Sequence, residues 1–200
     1  CQLLPGTEPG EPLMDGFCLR HWRPVRDQSR LSNLKTRTMH MSTQNDFTGL
    51  LEPAVDIARV AGEKILEVYN SEEFSVQEKD DKSPLTAADL ASHHAILDGL
   101  QALTPEIPVL SEESANLPYA ERKAWQRYWL VDPLDGTREF IKRNGEFTVN
   151  IALVESGVPV LSVVHVPVSG VSYSACRGQG AFKQQPGGEP QPIRVRKLGT

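Results

Sequence analysis

The sequence has 200 residues, 39% of them apolar and 24% charged, which is the composition of an ordinary globular protein with one sizeable core or two small ones. Its formal net charge is −5 and its basic residues form no stripe, so we expect no nucleic acid polymer as partner, although a small phosphorylated ligand stays open. The three cysteines show neither a disulfide framework nor zinc spacing, and no apolar run reaches the roughly 20 residues that span a bilayer. These features predict a cytoplasmic protein without a transmembrane segment.

The N-terminal residues differ in composition from the rest of the chain. They are rich in Pro, Gly, Arg and polar residues and have no steady apolar period. They also lack the apolar core followed by small residues that marks a secretory signal. We therefore predict a disordered or non-native extension over residues 1–45 and a folded domain over residues 46–200.

Two amphipathic helices are predicted at the start of that domain. Between Leu50 and Tyr69 the apolar residues recur mostly every three or four positions, which gives one broad helical face. A short strand at Phe74–Gln77 follows. A second helix is predicted from near Thr86, with Asp89 placed as in a capping box, to about Leu103. Its predicted inward residues are Leu90, Ile96, Leu97, Leu100 and Leu103.

Strands dominate the rest of the chain. Val109–Leu110 and Tyr128–Asp132 are predicted as short buried strands that each end on acids. From Phe147 to Cys176 strand follows strand, separated by the hairpin signals ESG and VSG, and an edge strand is predicted at Ile193–Arg196. Two helices followed by an antiparallel meander indicate an α+β fold, with the helices packed on a mostly antiparallel sheet.

A pair of carboxylates follows each of the two short buried strands. Glu112 and Glu113 end the first strand, and Asp132 and Asp135 end the second. If the strands lie side by side, the four carboxylates meet at one edge of the sheet and repel one another unless a cation lies among them. Hard divalent cations such as Mg²⁺ take oxygen ligands, and a turn after Asp132 would also free the carbonyl of Leu134. The pattern therefore predicts a metal site.

The residues that follow suit a phosphate group. Gly136 and Thr137 open a short predicted helix, TREFIK, and the free N–H groups of a helix N-terminus favour phosphate. A metal would lower the pKa of the attacking water, and Thr137 with a nearby acid could orient that water and accept its proton. A plain surface turn also uses D-P-x-D-G, so a purely structural interpretation stays open.

The motifs SPLTAAD, SEES and WLVDPLDGTREF resemble those of the lithium-sensitive, magnesium-dependent phosphatase superfamily that includes inositol monophosphatase. The longer segments LTPEIPVLSEE and EFIKRNGEFTVNIAL are similar to its bacterial 3′(2′),5′-bisphosphate nucleotidase branch, and the resemblance covers residues 50–183. It implies a sugar-phosphatase-like layered fold and hydrolysis of the 3′-phosphate of adenosine 3′,5′-bisphosphate (PAP), or of its adenylyl-sulfate form (PAPS), linked to sulfate assimilation. It also implies a cytoplasmic protein, with peripheral association with the inner membrane as an open alternative.

Other functions remain open beside this one. The substrate could instead be an inositol phosphate or another sugar phosphate. The chain could also be an inactive fragment that only binds a metal or a partner protein.

The resemblance implies a role for each site residue and two or three Mg²⁺ ions in the complete protein. Asp132 would bridge two ions, and Thr137 would help to activate water. The implied metal ligands are Glu112, Asp132, the carbonyl of Leu134, and Asp135. The implied substrate-binding residues are Glu112, Leu134, Asp135, Gly136 and Thr137.

Two positions depart from the superfamily pattern. Many relatives carry an aspartate where this chain has Ser83, and Asp81 is the expected substitute as the acid that partners Thr137. Thr86 and Asp89 could brace the site or simply cap the helix. The superfamily also has a W-D motif in a second domain, and no tryptophan here precedes an aspartate. We therefore expect the C-terminal α/β domain to be absent from this chain.

Several polar residues outside these motifs are predicted to be structural. His93 and His94 lie next to each other on a helix and point to different faces, which disfavours a joint metal site. His165 is predicted to be a packed or hydrogen-bonded histidine within a strand. Glu146 and Asn150 are expected to serve the sheet.

Overall fold

The computed structural model describes residues 47–71, 84–114 and 117–196. Their helices are α1 (Thr48–Tyr69), α2 (Pro84–Leu103), α3 (Tyr119–Arg122) and α4 (Thr137–Lys142), with a 3-10 turn at Glu112–Ser114. Their strands are β1 (Val109–Ser111), β2 (Arg127–Asp135), β3 (Thr148–Glu155), β4 (Val158–Val166), β5 (Val171–Cys176), β6 (Gly180–Gln184) and β7 (Gln191–Ile193). The predicted extension over residues 1–45, the strand at Phe74–Gln77, and Asp81 lie outside the described residues and stay predictions.

The strands form one seven-stranded sheet in the order β1 to β7, so every strand pairs with its neighbour in sequence. The first pair, β1 and β2, is parallel, and all later pairs are antiparallel. Both long helices pack on the sheet, which confirms the predicted α+β layering. No helix in the described segments is long and apolar enough to cross a membrane.

One face of the sheet lies beneath the helices. Successive side chains of a strand point to opposite faces, so Trp129 and Val131 of β2 are buried while Leu130 between them is exposed. Fully buried apolar residues of β3 and β4 continue this face: Val149, Ile151, Leu153, Leu161 and Val163. Asp132 follows Val131 and therefore belongs with Leu130 to the open face of the sheet.

Helix α1 approaches its neighbours closely where small residues allow it. A Cβ atom on Gly62 would lie 2.8 Å from Cδ2 of His165 in β4, and one on Gly99 of α2 would lie 2.7 Å from Cγ1 of Ile57. Because glycine has no Cβ, α1 can contact both the sheet and α2 at these points. The buried residues of α1 include Leu50, Ala54, Val55, Ile57, Ala58, Ala61 and Ile65, as the apolar period predicts.

Two predicted details are wrong. Leu90 was expected to point inward, but its side chain is 41% exposed. The buried face of α2 follows Ala88, Ser92, Ile96 and Leu100 at steps of four residues, and Leu90 lies two residues from Ala88, on the opposite side. The last edge strand is Gln191–Ile193 rather than Ile193–Arg196, and Val195, which lies beyond this strand, is 94% exposed.

Candidate active site

The candidate site begins where the pairing of β1 with β2 ends. These two strands are parallel, with Ser111 beside Val131, so the acids that come next, Glu112 and Asp132, are neighbours at the same end of the sheet. Glu113 follows in the 3-10 turn. The two strands therefore lie side by side, which is the condition that the predicted meeting of their acids required.

The predicted turn after Asp132 is instead an irregular continuation of the strand. Asp132 pairs with Asn150 and Asp135 pairs with Thr148, so three steps along β2 oppose two steps along β3. One extra residue on one strand is a β-bulge, which bends the strand and re-aims its side chains. We call Asp132–Asp135 the bulge segment. It carries both aspartates and the carbonyl of Leu134.

The carboxylates are close enough to change one another's protonation. Burial raises the pKa of Asp132 to about 6, and the charges of Glu112, Asp135 and Glu113 add to this effect. A hydrogen bond from the backbone of Leu134 opposes it only in part. Such mutual repulsion shows that negative charge is concentrated at this edge of the sheet.

Helix α2 adds a fifth carboxylate, Asp89, to this group. Burial raises the pKa of Asp89 to about 7, with further contributions from Glu113, Asp132 and Glu112. From the sequence, Asp89 was expected either to cap the helix or to brace the site. The structure places its carboxylate among the other acids. Its spacing from the buried Ser92 and His93, three and four residues on, is the signal that could have placed it on the site-facing side of the helix.

This donor set suits a hard divalent cation. All the candidate ligands are oxygens, which Mg²⁺ prefers, and Oδ1 of Asp89 is buried with no hydrogen-bond partner. Within residues 47–71, 84–114 and 117–196, no three Asp, Glu, His or Cys side chains are already arranged around one point as metal ligands. The electrostatic crowding nevertheless matches what a cation would relieve.

The segment after the acids is fixed by glycine and by aromatic packing. Gly136 has φ 96°, and a Cβ there would lie 2.9 Å from the carbonyl oxygen of Glu146, so this position requires glycine. Helix α4 begins at the next residue, Thr137, as predicted. Phe140 of α4 is buried against Tyr69 and Phe147, with ring centroids 5.2 and 5.3 Å away. These contacts anchor α4 to the end of α1.

Hydrogen bonds tie the neighbouring elements to the site. Oγ of Ser92 in α2 donates to the carbonyl oxygen of Pro133 at 2.7 Å, and Nδ1 of His93 lies 2.9 Å from Oγ of Ser111. Nδ2 of Asn150 donates to Oδ2 of Asp135 at 3.1 Å. The sequence suggested that Asn150 only serves the sheet, but this hydrogen bond also connects it to a candidate site residue.

An open groove adjoins the acids on the face of the sheet opposite α1 and α2. It has a volume of about 620 Å³ and is bordered by Glu112 and Asp132. Among the described residues that line it, Arg122 of α3 is the one basic residue.

Comparison with known proteins agrees with this arrangement. Residues 46–199 match the inositol monophosphatase family. The curated 3′(2′),5′-bisphosphate nucleotidase CysQ of Escherichia coli (strain K12) is 54% identical over 148 residues, which are 74% of this chain and 59% of that protein. The CysQ protein of Haemophilus influenzae is 43% identical over 145 residues, 72% of this chain and 53% of that protein.

Solved structures show the same fold. The crystal structure of CysQ from Bacteroides thetaiotaomicron is similar with a TM-score of 0.62 and 46% identity, covering 74% of this chain and 52% of that chain. An inositol monophosphatase from Zymomonas mobilis has a TM-score of 0.62 at 26% identity, covering 78% of this chain and 56% of that chain. The chain spans about three fifths of the length of the E. coli relative. It belongs to the inositol monophosphatase family.

Proposed function

We propose that the whole protein is a Mg²⁺-dependent phosphatase that removes the 3′-phosphate of PAP or PAPS, giving AMP or adenylyl sulfate and phosphate, in sulfate assimilation. The observation that carries the proposal is the position of Glu112 and Asp132, each directly after the last parallel pair of β1 and β2, in a chain that is 54% identical to a CysQ protein over 148 residues. An inositol phosphate is the alternative substrate, because inositol monophosphatases share the fold.

Four groups would hold the metal: the carboxylates of Glu112, Asp132 and Asp135 and the carbonyl of Leu134. When bound, Mg²⁺ would lower the pKa of the attacking water and stabilise the leaving oxygen. The expected number of two or three ions in the complete protein stays part of the proposal. A phosphorylated nucleotide is the proposed small-molecule partner.

The chain's own residues would bind the phosphate and handle the proton. The amides of Gly136 and Thr137 would donate to phosphate oxygens, and the hydroxyl of Thr137 would orient the attacking water. Asp89 is the acid that the described residues offer to accept the proton of that water, since its Oδ1 atom is buried and has no hydrogen-bond partner. Asp81 stays the alternative that the sequence suggested.

The test is phosphate release by the full-length protein with Mg²⁺, measured from PAP and in parallel from inositol 1-phosphate. Asp132→Asn should lower release from PAP by roughly 100-fold or more, because losing a metal ligand removes several kcal/mol of transition-state stabilisation. Asp98→Asn is the matched control, since Asp98 is an exposed acid on α2. Phosphate release by this variant should stay within about twofold of the wild-type rate, because a surface substitution of this kind leaves the site unchanged.

Each alternative outcome has a clear meaning. Release from inositol 1-phosphate alone would keep the site and overturn the nucleotide substrate. Release from neither ester by a folded protein would overturn the phosphatase proposal. A cytoplasmic location, and a peripheral association with the inner membrane, stay predictions that cell fractionation would test.

A further inference from the structure

The bulge segment is the least regular part of β2 and carries most of the proposed metal ligands. The sheet pairing on β3 is interrupted between Asp132 and Asp135. A bulge leaves its extra residue out of the hydrogen-bond ladder, so the sheet alone does not fix the backbone there. Other contacts must hold the ligands in place.

Ser92 supplies one such contact from the helix side. Its side chain is fully buried, and Oγ donates to the carbonyl oxygen of Pro133 at 2.7 Å. Pro133 lies between Asp132 and Leu134, so this bond fixes the orientation of the peptide group next to two proposed ligands. The two residues are 41 positions apart in the chain, and the contact exists only because α2 packs on β2.

Asn150 supplies a second contact from β3. Its Nδ2 donates to Oδ2 of Asp135 at 3.1 Å, and its own Oδ1 accepts a hydrogen bond from Oγ1 of Thr148 at 3.2 Å. The bond from Thr148 holds the amide with its N–H groups toward Asp135. One oxygen of Asp135 is thus engaged, which leaves Oδ1 for a cation.

We propose that Ser92 and Asn150 are positioning residues that clamp the bulge segment from two sides and hold its oxygens in the arrangement that binds Mg²⁺. The proposal rests on the proposed function, because it assigns these residues to the same metal site. Mg²⁺ demands near-ideal octahedral geometry, so small displacements of its ligands weaken binding. Partners that orient metal ligands typically contribute 10- to 100-fold in metal affinity.

A matched control separates this role from general stability. Thr104, directly after α2, also ties the helix region to β2, because its Oγ1 accepts a hydrogen bond from Nε1 of Trp129 at 2.9 Å. Both residues are buried, as Ser92 is. Thr104→Val removes a buried hydrogen bond of the same kind at a distance from the acids.

The experiment is isothermal titration of the full-length protein with Mg²⁺, together with urea unfolding of each variant. Ser92→Ala and Asn150→Ala should each weaken Mg²⁺ binding roughly 10- to 100-fold. The Mg²⁺ affinity of Thr104→Val should stay within about twofold of that of the wild type. Its urea midpoint should nevertheless fall at least as far as that of Ser92→Ala, because both substitutions leave a buried polar group unpaired. Asn150→Ala should barely change the midpoint, because Asp135 is exposed and water can replace the amide.

The outcomes distinguish this proposal from the one on which it rests. Wild-type binding that is lost in Asp132→Asn establishes the metal site independently of the clamp. If Ser92→Ala and Asn150→Ala then bind Mg²⁺ like the wild type, or if Thr104→Val weakens binding as much as they do, the clamp is overturned. If the wild type itself binds no Mg²⁺, both the metal site and the clamp are overturned.

Discussion

Replacing His165 should remove a defined part of the pH dependence of folding. His165 lies in β4 beneath α1, is 5% exposed, and has Nδ1 3.0 Å from Oγ of Ser172. Burial lowers its pKa from 6.5 to about 4, and the positive charge of Arg59 contributes to the shift, while a hydrogen bond with the backbone of Val171 opposes it. The folded protein therefore keeps this imidazole neutral at pH values where an exposed histidine would be charged.

The sign and size of the effect follow from this shift. Between pH 6.5 and about 4 the unfolded chain binds a proton at His165 that the folded protein does not bind. The contribution to stability is therefore fully present above pH 6.5 and is lost as the pH falls toward 4. A pKa difference of this size corresponds to about 3 kcal/mol of unfolding free energy.

Urea unfolding across this pH range measures the effect. His165→Asn removes the titrating ring, and its amide can still bond to Ser172. The variant should be less stable than the wild type at high pH. On acidification, its free energy of unfolding should fall by about 3 kcal/mol less than that of the wild type. Thr104→Val is the control, since it removes a buried hydrogen bond but no titrating group, and the pH dependence of its unfolding free energy should match that of the wild type. If the curves of wild type and His165→Asn run parallel down to pH 4, the reasoning from burial and Arg59 is refuted.

Two further predictions concern the acids and the contact between α1 and the sheet. Asp132→Asn removes one charge from the crowded carboxylates, so without Mg²⁺ the variant should have a free energy of unfolding about 1 kcal/mol higher than the wild type. With saturating Mg²⁺ the variant should instead be less stable than the wild type, because it has lost a metal ligand. Urea unfolding with EDTA and with Mg²⁺ would measure this, and the same sign under both conditions would contradict a cation at this site. Gly62→Ala places a Cβ 2.9 Å from Nε2 of His165 and should lower the free energy of unfolding by about 1–3 kcal/mol. The control is Gly188→Ala, because a Cβ at Gly188 would be at an ordinary contact distance, 3.5 Å, from its nearest neighbour. Equal stability of these two variants would show that α1 has room to shift.

The local elements could be predicted because their signals are local. Apolar residues every three or four positions marked α1 and α2, and apolar runs separated by turn residues marked β3 to β5, whereas β6 was not predicted. The acids after β1 and β2 and the glycine before α4 were also visible in the sequence. Leu90 was misplaced because the buried face of α2 uses the polar Ser92 and His93, whose hydrogen bonds to other elements make their burial favourable.

The sequence by itself predicted the two long helices, the strands from β1 to β5 and the candidate ligands, since each depends on residues a few positions apart. Only the tertiary structure decided that β1 and β2 are parallel neighbours, that Asp132–Asp135 is a bulge, and that Asp89 joins the acids. The contacts of Ser92 and Asn150 with the bulge segment span 41 and 15 residues. Such contacts depend on how whole elements pack and on which side chains that packing leaves facing one another, and a local pattern of residues does not encode either.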